Sequence, residues 1–565
     1  MTFLLDPYAA RSCPVKTFNA FDPGTPKPEK PLDESLLEAF SGGSEFRESM
    51  LEALCRADDV VDLHDEGHNP AKTLAAMETG APVIVGGCLP VDVTGHRTGC
   101  PDALVRGDDR PGGRPGYWPL RVKPYRLLEK QHNAKELRAS AIGSPTTLEP
   151  LPGFRFRSYR QGVLLELAHH WRLLQACGRA ATTPVAGVIG FDDHRKGMIV
   201  WVPLELRFLR TFSRTSANGH RLRSALERYD HEHGFRVHVA QQAMVREPDD
   251  PRPPAVRPIR VPECEWCAWW ETCRPRMDDD DISLRISKTP LDVRELQTLM
   301  GLGITTVSQL ADADVEALLP DYLPLTAHRD RSEARLRTAA RRARMLKRGV
   351  ALEKVSVDPI GVPRAPVEVD LDIETDDSDR TYLWGVLLTD RATGKQKYQH
   401  FSAFSYLSPS GELDLAADFA RWLVRLARKH PGLLVYHYSD YEVVHLRRMA
   451  QRSGHPDLLA ACDLVKEHFV DLLQLVRDNF VAVDGLGLKV VAAKGAGFSW
   501  RDEEPGGLNS QTWFATAVDG LNAAERKAAR RRVLEYNEDD VRATWHVREW
   551  MERLDSQSYE DAQAT

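Results

Sequence analysis

The chain has 565 residues, 9 cysteines and a formal net charge of -7 at pH 7. This length predicts several domains, and the mildly negative charge is not typical of a protein that coats DNA without specificity. Cysteines this sparse do not predict a disulfide framework. Because the sequence shows neither a signal peptide nor a long apolar span, we expect a soluble, cytoplasmic protein without membrane contact.

Three cysteines lie close together in Cys264-Glu-Trp-Cys267-Ala-Trp-Trp-Glu-Thr-Cys273, with the spacing C-x2-C-x5-C. Three thiolates need a fourth ligand to close a metal site, and Cys13 is the candidate despite its distance in sequence. A zinc site made of four cysteines usually has two C-x2-C pairs, and only one occurs here. From the spacing alone, an iron–sulfur cluster, a zinc ion and no metal all remain open. The remaining cysteines are expected to be ordinary thiols: Cys55, Cys88, Cys100, Cys177 and Cys462.

A distant N-terminal cysteine followed by C-x2-C-x5-C resembles the iron–sulfur nucleases of the RecB-like group. The resemblance implies a [4Fe–4S] cluster bound by Cys13, Cys264, Cys267 and Cys273. In that group the cluster clasps the ends of a PD-(D/E)xK domain, which has a restriction-endonuclease-like fold. The resemblance therefore implies such a domain over residues 1–275.

The same resemblance implies nuclease motifs between the cysteines. Asp102, after a strand-like segment, matches the Pro-Asp element and would bind Mg²⁺, while Lys123 would position or deprotonate the attacking water. On the following helix, Glu166 and His170 replace the Gln and Tyr of the family. Arg121 stands where the family has Asp or Glu, and losing one of few carboxylates usually loses the divalent ion. A working site and a degenerate one both remain open.

Residues 276–355 are predicted to form a helical connector. Within it, residues 296–307 read as a helix, a Gly-x-Gly turn and a second helix. This pattern resembles a helix-hairpin-helix, whose turn offers backbone N–H groups to a phosphate. A helical spacer is the alternative. The basic residues 329–348 favour a nucleic-acid contact, although a solvated helix face would have the same composition.

Apolar residues alternate with acids over residues 367–374, which predicts a half-buried strand. Asp370, Asp372 and Glu374 should therefore project from one face. Because like charges this close repel, a cation should lie between them, and carboxylate oxygens suit Mg²⁺ or Mn²⁺. Far downstream, Tyr536 and Asp540 are one turn apart in a predicted helix, which would add a phenol and another carboxylate to the same site.

These motifs resemble the DEDD exonucleases of the RNase H-like superfamily, in the form with a tyrosine in the last motif. The acids of the strand match the opening Asp-x-Glu, and the helical pair matches the closing Tyr-x-x-x-Asp. The middle motif falls on residues 437–442, where Glu442 replaces the usual Asp and Asp440 is the alternative ligand. The resemblance implies an RNase H-like mixed-sheet domain over residues 356–565.

Motif order across nearly the whole chain resembles a bacterial family of RecB-like nucleases with this α/β multidomain fold. The resemblance implies metal-dependent hydrolysis of phosphodiester bonds from a 3′ end. The expected partner is nucleic acid, with DNA favoured and RNA left open. The resemblance assigns the Mg²⁺ or Mn²⁺ ions to four acids: Asp372, Glu374, Glu442 and Asp540. Tyr536 would orient the attacking water. The alternative is a non-catalytic nucleic-acid-binding protein with a structural or redox-sensing iron–sulfur cluster.

Overall fold

The computed structural model describes residues 2–28, 34–191, 197–247, 254–288, 290–376, 379–502 and 507–564. The chain divides into two units. The first comprises Met1–Leu284, Leu291–Thr306 and Asp314–Leu336, and the second comprises Arg285–Pro290, Val307–Ala313 and Arg337–Thr565. In the described part of the chain, no helix is long and apolar enough to cross a membrane.

The N-terminal half alternates helices with short strands. Its helices are α1 (Pro14–Phe21), α2 (Glu34–Cys55), α3 (Pro70–Glu78), α4 (Gln161–Ala176), α5 (Ala225–Met244), α6 (Trp270–Cys273) and α7 (Ile282–Arg285). Its strands are β1 (Val60–Asp62), β2 (Val83–Val85), β3 (Ala103–Arg106), β4 (Tyr117–Val122), β5 (Leu128–Lys130), β6 (Arg138–Ala141), β7 (Glu149–Pro150), β8 (Phe154–Phe156), β9 (Val185–Ile189), β10 (Met198–Pro203), β11 (Leu209–Phe212) and β12 (His220–Arg223).

A mixed sheet forms the centre of the first unit, with described strands in the order β1-β2-β3-β4-β9-β10-β6-β7. Every residue of β4 is buried, because helix α4 packs against this strand and its neighbour β9. Strands β3 and β4 are antiparallel, with Ala103 opposite Leu120. This register brings Asp102, just before β3, beside Arg121 of β4.

The Cys88 and Cys100 sulfur atoms form a disulfide. The prediction that both are ordinary thiols is therefore wrong. The cause is the register of the sheet, since Val85 at the end of β2 lies opposite Ala103 at the start of β3. The two ends of the intervening loop meet there, and a spacing of 12 residues carries no sequence signal for such a contact.

The predicted connector contains helices α8 (Val293–Gly301), α9 (Val307–Asp312), α10 (Val315–Thr326) and α11 (Ser332–Lys347). Gly303, after α8, has a φ of 81°, which only glycine adopts readily. Part of the basic helix α11 is engaged in ion pairs inside each unit. Arg335 contacts Glu295 at 2.7 Å, and Lys347 contacts Asp312 at 2.5 Å. These charges are already partly neutralised, which weakens the case for a phosphate-binding face.

The C-terminal part is built around longer strands. Its strands are β13 (Leu352–Lys354), β14 (Val367–Thr375), β15 (Thr381–Asp390), β16 (Lys395–Ser402), β17 (Leu434–His437), β18 (Phe469–Asp471) and β19 (Phe480–Ala482). Its helices are α12 (Pro409–Lys429), α13 (Tyr441–Ser453), α14 (Pro456–His468), α15 (Leu472–Asn479), α16 (Leu488–Lys494), α17 (Gly507–Asp519) and α18 (Ala523–Ala564).

The main sheet of the second unit is mixed, as expected, and its described strands have the order β16-β15-β14-β17-β18. Strand β14 is antiparallel to β15 and parallel to β17. The apolar residues Val369, Leu371 and Ile373 pack into a core with α12 and α14. The alternating acids of β14 face the other side, where α18 packs against the strand.

Candidate functional site

Three carboxylates converge where the central strand β14 meets helix α18. Asp372 and Glu374 are two residues apart on β14 and therefore share a face. Asp540 comes from α18, and one oxygen of each of the three carboxylates lies within 4.8 Å of the others. Glu374 and Asp540 are buried, whereas Asp372 is partly exposed. The group can therefore be reached from solvent through Asp372.

Each of these carboxylates accepts a hydrogen bond from a neutral side chain. The Asn537 amide donates to Asp372 at 2.7 Å, and the Ser510 hydroxyl donates to Glu374 at 2.6 Å. The Trp500 indole N–H donates to Asp540 at 2.7 Å. These bonds fix the direction of the carboxylates but bring no positive charge to the group.

The Asn537 amide fits against the sheet because the facing residue has no side chain. Gly385 of β15 lies opposite Asp372 in the ladder. A Cβ atom at Gly385 would lie 1.6 Å from Oδ1 of Asn537, so any larger residue would displace the amide. The Tyr398 hydroxyl donates to the same Oδ1 at 2.8 Å, which leaves the amide nitrogen facing Asp372.

Burial and mutual repulsion make these carboxyl groups hard to ionise. Burial, followed by the nearby Asp540, raises the pKa of Glu374 to about 8, and both effects raise the pKa of Asp372 well above its ordinary value. Burial also raises the pKa of Asp540 to about 6, although the charge of Lys489 partly opposes this. A group of acids that resists ionisation in this way fits a divalent cation.

Tyr536 lies one turn before Asp540 on α18, and Lys489 of α16 donates a hydrogen bond to its hydroxyl at 2.8 Å. Burial raises the pKa of Tyr536 far above its ordinary value, and the carboxylates of Asp540, Glu374 and Asp372 raise it further. The phenol therefore stays protonated at any physiological pH and can donate a hydrogen bond.

Glu442 and Asp440 differ in their surroundings, although both belong to the predicted middle motif. Glu442 is buried in the first turn of α13, and its Oε2 has no hydrogen-bond partner among the residues that the structure describes. His437 lies 3.8 Å away, but burial lowers its pKa. Burial, with Asp471, Asp440 and Asp540, raises the pKa of Glu442 to about 8, whereas Asp440 is exposed. Glu442 is therefore the better candidate ligand.

The cation expected beside Asp370 is an arginine of α18. The Arg548 guanidinium is fully buried and contacts Asp370 through two hydrogen bonds of 2.9 and 3.0 Å. Arg548 also contacts Glu368, the preceding acid on the same face. Asp370 is thus neutralised by the protein itself.

In the first unit, Arg121 lies between two buried acids. Its guanidinium contacts Asp102 at 3.1 Å and Glu166 at 3.0 Å, and it donates to the Tyr8 hydroxyl at 3.0 Å. Burial would lower the pKa of Arg121, but the two carboxylates raise it overall. The guanidinium of Arg121 therefore occupies the space between the two acids.

Further cations surround the same two acids. Arg47 contacts Asp102 at 2.8 Å, whereas Lys123 and Arg11 contact Glu166 at 2.9 and 3.0 Å. Burial and the charge of Arg121 lower the pKa of Lys123, although Glu166 opposes them. The predicted site residues Asp102 and Lys123 thus belong to one ionic cluster in which the cations outnumber the two acids.

The four predicted cysteine ligands line one pocket of the first unit, together with Trp269 and Trp270 of the same segment. They are Cys13, Cys264, Cys267 and Cys273. Helix α1 begins directly after the first of them, and Asn19 of this helix lies 3.6 Å from the sulfur of the last. Burial raises the pKa of Cys13 to about 11. The protein therefore disfavours a bare thiolate there, and a bound metal centre would compensate for that cost.

The mixed sheet with converging acids defines the C-terminal part as an RNase H-like domain. Residues 369–552 match the family model RNase_H_2, of the RNase H superfamily. The match begins on β14, ends in α18 and includes all the acids of the converging group. This superfamily acts on nucleic acids. No curated protein matches the chain.

Sequence reasoning did not assign roles to four side chains that contact this group: Lys489, Trp500, Ser510 and Asn537. Asn537 is adjacent to Tyr536, three residues before Asp540, so helical periodicity could have placed it on the same face. The other three come from separate segments without a recognisable motif. Their positions follow from the tertiary fold alone.

Proposed function

We propose that the protein hydrolyses phosphodiester bonds of nucleic acids with divalent metal ions, through its RNase H-like domain. One observation carries this proposal: Asp372, Glu374 and Asp540 converge, resist ionisation and, among the described residues, accept their side-chain hydrogen bonds from neutral donors. Mg²⁺ or Mn²⁺ bound by these residues and Glu442 would supply activation of water and stabilisation of the leaving oxygen.

Within this proposal, the protein's own side chains position the reactants. The Tyr536 hydroxyl, held by Lys489, donates a hydrogen bond that orients the attacking water. Asn537, Ser510 and Trp500 fix the carboxylates in one arrangement. The resemblance to exonucleases with a tyrosine in the last motif supports attack at a 3′ end. We propose DNA as the preferred substrate of the enzyme.

We further propose that the four clustered cysteines hold a [4Fe–4S] cluster in a RecB-like, PD-(D/E)xK-type domain over residues 1–275. Residues 276–355 then act as a connector and residues 356–565 as the exonuclease domain. The pocket that the four cysteines share supports the cluster. Iron and sulfide analysis of anaerobically purified protein should find about four of each per chain. Zinc without iron would refute this part.

A second candidate function, non-catalytic binding of nucleic acid, is favoured by the Arg121 cluster. Arg121 contacts both buried acids of the N-terminal site and three further cations contact them as well, so that site offers no metal ligand with spare charge. If the C-terminal site were also inactive, the protein would bind nucleic acid without cleaving it.

An activity screen separates the two functions. The purified protein is incubated with 5′- and 3′-labelled DNA and RNA oligonucleotides, with Mg²⁺, Mn²⁺ or a chelator. We expect metal-dependent shortening from the 3′ end, no cleavage by Asp372→Asn, and full activity of Asp440→Asn, whose side chain is exposed. Binding of the oligonucleotides without cleavage in any metal would establish the second function instead.

A further inference from the structure

A histidine from a separate segment, His68 before α3, lies beside both sulfur atoms of the Cys88–Cys100 disulfide. His68 Nδ1 lies 3.5 Å from the sulfur of Cys88 and 4.0 Å from that of Cys100. Together these three side chains form a group whose possible ligand atoms lie within 4.8 Å of one another. The group shares no residue with the four-cysteine pocket, and it adjoins the ionic cluster, since the Arg121 guanidinium donates to the Cys100 carbonyl at 3.5 Å.

The two nitrogen–sulfur distances suit one tetrahedral ion, and the two bonded sulfur atoms would have to move apart on reduction. With Zn–S bonds of about 2.3 Å and Zn–N bonds of about 2.0 Å, a nitrogen and a sulfur ligand of the same ion lie roughly 3.5 Å apart. The observed separations of 3.5 and 4.0 Å are close to this value. Two thiolates and an imidazole are also the donors that Zn²⁺ and similar transition-metal ions prefer.

We propose that His68, Cys88 and Cys100 form a transition-metal site, with Zn²⁺ as the best-suited ion, when the two cysteines are reduced. The disulfide and the metal-bound pair of thiolates are then alternative states of one site. In going from the first to the second, a dithiol reductant gives two electrons to the disulfide and becomes a cyclic disulfide. Its two protons go to solvent, and the two thiolates released bind the ion.

The site has a definite place in the fold. His68 precedes α3, and the two cysteines lie in the connection between β2 and β3. A bound ion would tie these segments together directly before Asp102, the first acid of the ionic cluster. Cys88 is buried, Cys100 is partly exposed and His68 is exposed. The remaining coordination position therefore faces solvent, where water can complete a tetrahedral site.

The proposal is tested by titrating the full-length protein with Co²⁺ after reduction with a phosphine, which binds metal weakly. Thiolate ligands give Co²⁺ an intense near-ultraviolet absorption. We expect wild type to bind one Co²⁺ more per chain than Cys88→Ser or Cys100→Ser, and Zn²⁺ should displace it. Every variant keeps the four-cysteine pocket, so the metal bound there cancels in the difference.

His68→Ala is the decisive variant, because an exposed side chain can be removed without loss of folding. It should lower the affinity for the additional Co²⁺ by roughly tenfold or more. Cys462→Ser, which removes a partly exposed thiol elsewhere, should bind as wild type does. Any of three results would overturn the proposal. Wild type and Cys88→Ser could bind equal amounts of Co²⁺, His68→Ala could keep the affinity of wild type, or the disulfide could persist under reduction.

Discussion

In the second unit, Asp372, Glu374 and Asp540 face one another with neutral donors around them. In the first unit, the buried acids Asp102 and Glu166 are held by guanidinium and ammonium groups. Both arrangements bury carboxylates against a mixed sheet, and burying negative charge is costly. The two units offset that cost in different ways. The charge that compensates the acids, rather than the number of acids, decides whether a site has a use for a metal ion.

The largest expected difference concerns catalysis. Asp540→Asn should lower the rate of hydrolysis by about 10³-fold, because several kcal/mol of transition-state stabilisation depend on the ions it holds. Asp102→Asn should change the rate less than about twofold, since Asp102 is paired with Arg121. Initial rates on a 5′-labelled oligonucleotide measure both. A comparable loss of rate in the two variants would show that the N-terminal site takes part in the reaction.

The next effect is on stability. Arg121→Met should destabilise the first unit by about 3 kcal/mol, because it leaves two buried acids short of their central cation. The control Arg155→Met removes a mostly exposed partner of Glu129 and should cost less than about 1 kcal/mol. Hydrogen exchange in β4 reports the local free energy of opening. Greater protection in Arg121→Met would mean that the cluster is strained rather than stabilising.

The metal-free second unit should lose stability as pH rises. The folded state raises the pKa of Glu374 from 4.5 to about 8, mainly through burial. Between these values the unfolded chain has released a proton that the folded chain still holds, so ionisation favours unfolding. The contribution of Glu374 to stability is greatest below about pH 4.5 and declines towards pH 8. Thermal unfolding with a chelator measures the trend.

A variant and a metal ion test whether Glu374 causes this trend. Glu374→Gln should flatten the decline, and Mn²⁺ should reverse it, because the ion binds the ionised form. A decline of the same size in Glu374→Gln would assign the trend to other groups.

The smallest effect concerns orientation of the water. Tyr536→Phe should slow hydrolysis by roughly 10- to 100-fold, since positioning errors cost about this much. Lys489→Met, which removes the hydrogen bond to Tyr536, should give a similar or smaller loss. Calorimetric titration with Mn²⁺ should find nearly unchanged affinity in Tyr536→Phe. Loss of Mn²⁺ binding in this variant would show that Tyr536 supports the metal site and does not merely orient the water.

Local periodicity could predict which residues of the C-terminal site share a face of the same strand or the same helix. Alternation along β14 placed Asp372 and Glu374 on one face, and helical spacing placed Tyr536 and Asp540 on another, because both rules act within a few residues. The arginine that neutralises Asp370 could not be predicted, since it lies 178 residues further along the chain. The Cys88–Cys100 contact escaped prediction for a related reason, because strand register determines it.

Gly385 and Asn537 also constrain how this protein can change over evolutionary time. The amide of Asn537 occupies the volume that any side chain at position 385 would fill. A substitution at Gly385 is thus tolerable only where position 537 already carries a smaller residue, and that residue would lose the hydrogen bond to Asp372. The two positions form an epistatic pair, and in related chains they should covary as a unit although neither holds a charge.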